Sequence, residues 1–156
     1  MERTVSLRRT TKETDISVTL NLDGTGKTRI DTGIVLGQAI LKAAGDKAGI
    51  RRYGHFILPM DETLVLCAVD LSGRPYLRFD SEFTAERLGD LDTEMIKDFF
   101  YAISYSAMMN IHLKLLDGEN NHHKAEALFK SFGKALDTAT QKEPRIQEAW
   151  TTKGSL

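Results

Sequence analysis

Reactive side chains concentrate in His122-His123-Lys124-Ala125-Glu126. On an α-helix His122 and Glu126 share a face, one turn apart, while His123 points about 100° away. One turn could therefore offer donors in two directions. Imidazole nitrogen combined with carboxylate oxygen, with open positions left over, suits Mn, Fe or Zn. The spacing alone also fits an ordinary surface helix start, where Glu126 is favoured by the macrodipole. His112 strengthens the metal reading. It lies on the polar side of the alternating run Met109, Ile111, Leu113, Leu115, just before this helix. A short connection is expected to bring His112 close to His122. His55 has no sequence neighbours at metal-ligand spacing and reads as a surface or partly buried histidine.

Cations form a second group: Arg52 before Tyr53-Gly54, Arg74 in Ser72-Gly73-Arg74-Pro75, Lys130 two turns into the histidine helix, and Lys153 near the end. Guanidinium forks and ammonium point charges suit phosphate. Taken singly, such residues are usually just solvated. Glu13 and Asp61 occupy presumed turns, where carboxylates are common.

The elements that must carry these groups follow from hydrophobic periodicity. Ile16, Val18, Leu20 and Leu22 alternate before Asp23-Gly24, which predicts a strand, and a partner near Thr4–Arg9 would complete a hairpin. Ile34, Leu36, Ala39, Ile40 and Ala43 switch to helical spacing, with Asp31 or Thr32 able to cap the start and Gly45 the end. Three strands are expected at Phe56–Leu58, Thr63–Leu71 and Tyr76–Phe79, best arranged antiparallel. A second helix carries Met95, Ile96, Phe99, Phe100, Ile103 and Ala107. After the His112 strand and Asn120-Asn121, the residues Ala125, Leu128, Phe129, Phe132 and Leu136 mark a third helix that should run to about Thr140. This order describes an α+β chain with helices on one face of a sheet.

The 156 residues bound the rest: ordinary domain size, 21 basic against 22 acidic side chains, and 8% aromatics. A net charge of −1 gives no global attraction to nucleic acid or anionic membrane. No apolar run approaches membrane-spanning length. Cys67 is alone, so no intrachain disulfide forms, and its apolar surroundings predict a buried thiol. Met1–Arg9 lack a secretory apolar stretch, and the cytoplasm is the expected location.

Six strings taken together resemble the imidazoleglycerol-phosphate dehydratase family of histidine biosynthesis. They are Arg9-Thr10-Thr11-Lys12-Glu13-Thr14, Asn21-Leu22-Asp23-Gly24-Thr25-Gly26, Arg52-Tyr53-Gly54, Pro59-Met60-Asp61-Glu62, Asp70-Leu71-Ser72-Gly73-Arg74-Pro75-Tyr76 and Asn121-His122-His123-Lys124-Ala125-Glu126-Ala127. Thr151-Thr152-Lys153-Gly154 is similar to the family's Ser-Thr-Lys-Gly end. The resemblance implies a duplicated fold of β-sheet plus helix halves, ribosomal protein S5 domain 2-like, with helices on one face of each sheet. It divides the chain into an incomplete N-terminal half at 1–48, a C-terminal half at 49–143, and a tail at 144–156 contributing to the phosphate site.

The same resemblance implies metal-dependent dehydration of D-erythro-imidazole-glycerol phosphate to imidazole-acetol phosphate. It makes His112, His122, His123 and Glu126 ligands of Mn²⁺, two ions per complete site. Glu13 would be the general acid or base and Asp61 a supporting polar residue near the substrate. Arg52, Arg74, Lys130, Thr151 and Lys153 would hold the phosphate. The family's site is assembled from neighbouring subunits, in trimers that build a 24-subunit shell, so a homo-oligomer is expected. One departure stands out: the family carries a His-His-x-x-Glu helix in each half, and this sequence has only the second. The join falls near Ile30-Asp31-Thr32-Gly33. Either a segment of a longer natural chain is omitted, or the deletion is real and leaves a catalytically inactive or metal-free assembly form.

Overall fold

A computed structural model describes residues 3–11, 15–23 and 32–151. Strands β1 (Thr4–Thr10) and β2 (Asp15–Asn21) form the expected antiparallel hairpin, with Val5 opposite Leu20 and Leu7 opposite Val18. Alternation turns Leu7, Ile16, Val18 and Leu20 inward, where they pack on Val35 and Ala39 of α1 (Gly33–Ala44). Thr32 stands at the N-cap position, but its side chain makes no capping bond, and Asp31, the other expected cap, lies outside the described residues. So does Ile30, which puts half of the expected join beyond description. Gly45, at a φ of 56°, ends the helix as anticipated.

The remaining chain builds β3 (Tyr53–Met60), β4 (Thr63–Asp70), β5 (Tyr76–Asp80), a two-residue ribbon of β6 (Arg87–Leu88) and β7 (Leu91–Asp92), α2 (Glu94–Ala107), β8 (Asn110–Asp117) and α3 (Asn121–Thr140). The main sheet runs in the order β3-β4-β8-β5. β4 pairs antiparallel with β3 on one side and β8 on the other, but β5 lies parallel to β8, with Arg78 beside His112. The three strands expected to be antiparallel do alternate in direction, but β8 inserts between β4 and β5, so β5 makes a parallel pairing that the sequence reading does not place. Because α2 intervenes between β5 and β8, the chain crosses back to the starting end of the sheet before re-entering it, and a re-entering strand then runs parallel.

Val65, Cys67, Val69, Ile111 and Leu113 point to one face, where Phe100 and Ile103 of α2 and Leu128 and Phe132 of α3 cover them. Phe100 touches the rings of Phe79, Phe99, Phe129 and Phe132 at centroid separations of 5.0–6.3 Å. Gly54 is required where β3 meets α3: a Cβ there would sit 1.9 Å from the Ala135 carbonyl oxygen. Among the described residues no helix packs on the opposite face of the sheet, which exposes Ile57, Tyr76 and Leu116. Beyond α3 the chain returns alongside the α1–β3 loop, bridging Ile50 to Lys142 and Ala48 to Ala149. Among the described residues no helix is long and apolar enough to cross a membrane.

Candidate metal and phosphate sites

The β3–β4 turn and the start of α3 meet at one end of the sheet. Asn120 caps α3, its Oδ1 accepting from the backbone N–H groups of His122 (2.9 Å) and His123 (3.2 Å). Asp61 and Glu62 form a tight turn between the paired residues Met60 and Thr63, with Asp61 in the left-handed region at a φ of 50°. Glu62 Oε1 accepts from the Asn120 N–H (2.8 Å), the Glu119 N–H (3.3 Å) and the Thr63 hydroxyl (3.0 Å). Its Oε2 lies 2.8 Å from His123 Nδ1. The His123 bond, followed by the Asn120 N–H, holds the Glu62 carboxyl down to about 2. In turn Glu62 pushes the His123 imidazole above its ordinary value.

His122 points elsewhere, its Nε2 lying 3.2 Å from Glu126 Oε2, while Glu126 Oε1 is 2.5 Å from Lys130 Nζ. Lys130 first, and His122 after it, keep the Glu126 carboxyl below the usual range. The divergence expected from helix geometry is therefore present. Two struts from the segment after β5 steady this turn of helix: buried Lys124 donates to the Glu82 carbonyl at 3.2 Å, and Asn121 exchanges bonds with Thr84.

His112 does not join this group. It lies on the uncovered face of β8, next to Ala68 and Arg78, with the Tyr76 ring 5.5 Å away, whereas α3 packs on the other face. Five residues of strand, about 16 Å, separate it from Asp117 before the chain turns to α3. The connection is short, but it leaves from the far end of the strand. Among the described residues no three His, Cys, Asp or Glu side chains gather as a metal site. The donors nevertheless suit a transition metal by type and arrive in pairs, His122 with Glu126 and His123 with Asp61 3.7 Å from its Nε2.

The cations gather mainly at the other end of the sheet. Arg52, at a φ of 67°, is buried, and its Nε and Nη2 grip Asp70 at 2.7 and 3.1 Å. Its Nη1 donates to the Trp150 carbonyl at 2.5 Å, which ties down the tail just before Thr151. Buried Lys47 sits close enough to Arg52 for burial and that charge to lower its ammonium. Arg74 is exposed in the β4–β5 turn, its carbonyl accepting from Asn110 Nδ2 at 2.7 Å. Lys130 lies nearer the histidines, paired to Glu126. His55 is exposed and lines an open cleft with Tyr53, Ile146 and Trp150. Glu13 and Lys153 lie outside the described residues.

Sequence reasoning missed Glu62, Asp70, Lys124 and the capping role of Asn120. Asn120 carried a readable signal, being a capping residue type just ahead of a helix. Glu62 acts on a residue 61 positions away, and no local pattern encodes that.

The sequence profile of imidazoleglycerol-phosphate dehydratase matches residues 7–136. The chain belongs to the imidazoleglycerol-phosphate dehydratase family. Imidazoleglycerol-phosphate dehydratase from Lachnoclostridium phytofermentans is 51% identical over 195 aligned positions, covering all of both chains. Since this chain has 156 residues, at least 39 positions of that alignment have no counterpart here. The Streptococcus mutans dehydratase is 54% identical over 126 residues, 81% of this chain and 65% of its own. Among solved structures, imidazoleglycerol-phosphate dehydratase from Staphylococcus aureus subsp. aureus N315 superposes with a TM-score of 0.69 at 44% identity. The match covers 71% of this chain and 65% of that one, so this chain spans just under two thirds of the solved dehydratase. The dehydratase from Pyrococcus furiosus gives the same TM-score at 38% identity.

Proposed function

We propose that this chain dehydrates D-erythro-imidazole-glycerol phosphate to imidazole-acetol phosphate in histidine biosynthesis, at metal-dependent sites shared between copies of the chain. One observation carries the shared site. The histidine pair and His112 lie towards opposite ends and on opposite faces of one sheet, and Thr63–Asp70 alone extends about 23 Å. A small phosphorylated imidazole cannot touch both within one chain. A second copy brings the missing donors, and the uncovered face around His112, with Ile57, Tyr76 and Leu116 exposed, suits contact between copies.

His122 and Glu126 would hold Mn²⁺ in one direction and His123 in another, with His112 supplied by a neighbour. Bound metal would supply Lewis acidity at the ring nitrogens. The chain's own groups do the remaining work. Arg74, Lys130, Thr151 and Lys153 would fix the phosphate, and Arg52, clamped between Asp70 and the Trp150 carbonyl, sets the tail that carries two of them. Glu13 would move the proton and Asp61 would assist at the substrate.

The test is turnover of the purified chain with Mn²⁺, read as imidazole-acetol phosphate formed, alongside native mass with and without metal. Product release together with a trimer or a larger multiple supports the shared site. The missing positions and the single His-His-x-x-Glu favour one alternative, an assembly form that no longer catalyses. An intact mass equal to the 17.5 kDa chain, oligomeric and without turnover, would establish it.

A further inference from the structure

We propose that Glu62 is the positioning residue for His123, taking the Nδ1 hydrogen so that Nε2 is left as the lone-pair donor. This deepens the reading of His123 as a metal ligand and rests on it. An ionised carboxylate has no hydrogen to give, so at 2.8 Å from Glu62 Oε2 the ring must donate from Nδ1. Nε2 has Asp61 Oδ2 at 3.7 Å, outside hydrogen-bond range, and stays open. Ligating histidines depend on such a partner at the second nitrogen to fix tautomer and ring plane.

An exposed histidine and carboxylate side by side are ordinarily worth little, because both side chains wander. Glu62 cannot. Its Oε1 is held by the Asn120 and Glu119 N–H groups and the Thr63 hydroxyl, so only Oε2 is presented to His123, in one direction. The turn itself is fixed by the Met60–Thr63 pairing, which makes the sheet the frame for the ring.

The Glu62→Gln variant separates this role from simple support. The three donors that hold Oε1 keep the glutamine oxygen where it is, so the amide NH₂ replaces Oε2 and faces Nδ1. The imidazole must then accept at Nδ1 and carry its hydrogen on Nε2, which blocks the donor atom. In metal-free protein labelled with ¹⁵N-histidine, above the titration of the ring, His123 should show the Nδ1–H form in the parent chain and the Nε2–H form in Glu62→Gln. A His123→Asn variant assigns the signal. Mn²⁺ titrated calorimetrically into the two proteins should bind about 10- to 100-fold more weakly to the variant, at an unchanged melting temperature. An Nε2–H tautomer in the parent chain overturns the proposal, and that measurement stands even if the variant fails to fold. An unchanged tautomer in a folded variant also overturns it. The expected tautomers with no Mn²⁺ binding to either protein would uphold Glu62's role and instead defeat the metal reading of His123.

Discussion

Single side chains at the histidine turn are held by partners remote in sequence, and their value can be measured one at a time. Asn120 satisfies two backbone donors that α3 would otherwise leave open, so Asn120→Ala should lower stability by about 1 kcal/mol in urea unfolding. It should also loosen His122 and His123 together, because both N–H groups share the one acceptor. Cys67 offers the opposite case. It is fully buried in β4, and burial pushes its thiol up to about 12. A thiol reagent at pH 8 should therefore leave it unmodified in the folded chain and react promptly once denaturant is added.

Packing of whole elements depends on close approach of backbones. At Gly54 the strand β3 comes so near α3 that any side chain would strike the Ala135 carbonyl and the Ala139 nitrogen, neither of which can swing aside. Gly54→Ala is expected to lower the urea midpoint sharply, by an overpacking cost of about 3 kcal/mol or more. Displacing α3 would also move Lys130 and Glu126, which that helix carries. Gly37 plays the matching part between α1 and α2, where a Cβ would meet Ser106 and the Ile103 carbonyl.

Across the molecule, ion pairs fasten the ends of the chain. Arg3 bonds Asp23 at 2.6 Å and also the carbonyl of Thr140, the last residue of α3, so it straps the N-terminal hairpin to the helix that carries the histidines. The Arg3 bond holds Asp23 down to about 2, as Arg8 does for Asp15 and Arg145 for Glu143. Folded values below the unfolded ones contribute stability that is complete above about pH 4 and is lost as pH falls through about 2. These carboxylates accordingly contribute a plateau in melting temperature above about pH 5 and a drop between about 4 and 2, while the raised His123 imidazole adds a separate loss as pH climbs through its own value. Arg3→Ala should lower the plateau and flatten that drop. Because these pairs are exposed, each effect is modest.

Much of this protein was legible before folding was considered. Alternation placed Ile111 and Leu113 inward and His112 outward; helical spacing set His122 beside Glu126 and turned His123 away; a lone cysteine amid apolar residues is a buried thiol. Each is a local rule acting over a few residues. The family was readable for a related reason, since its motifs are contiguous strings. Folding in space settled the rest. The parallel pairing of β5 with β8 follows from where α2 crosses the sheet, and the separation of His112 from His122 follows from which end of β8 the chain leaves. Neither is encoded by spacing along the chain. Glu62 bonding His123, and Asp70 gripping Arg52, arise when distant segments share a sheet register, and register is fixed by burying one whole face at once.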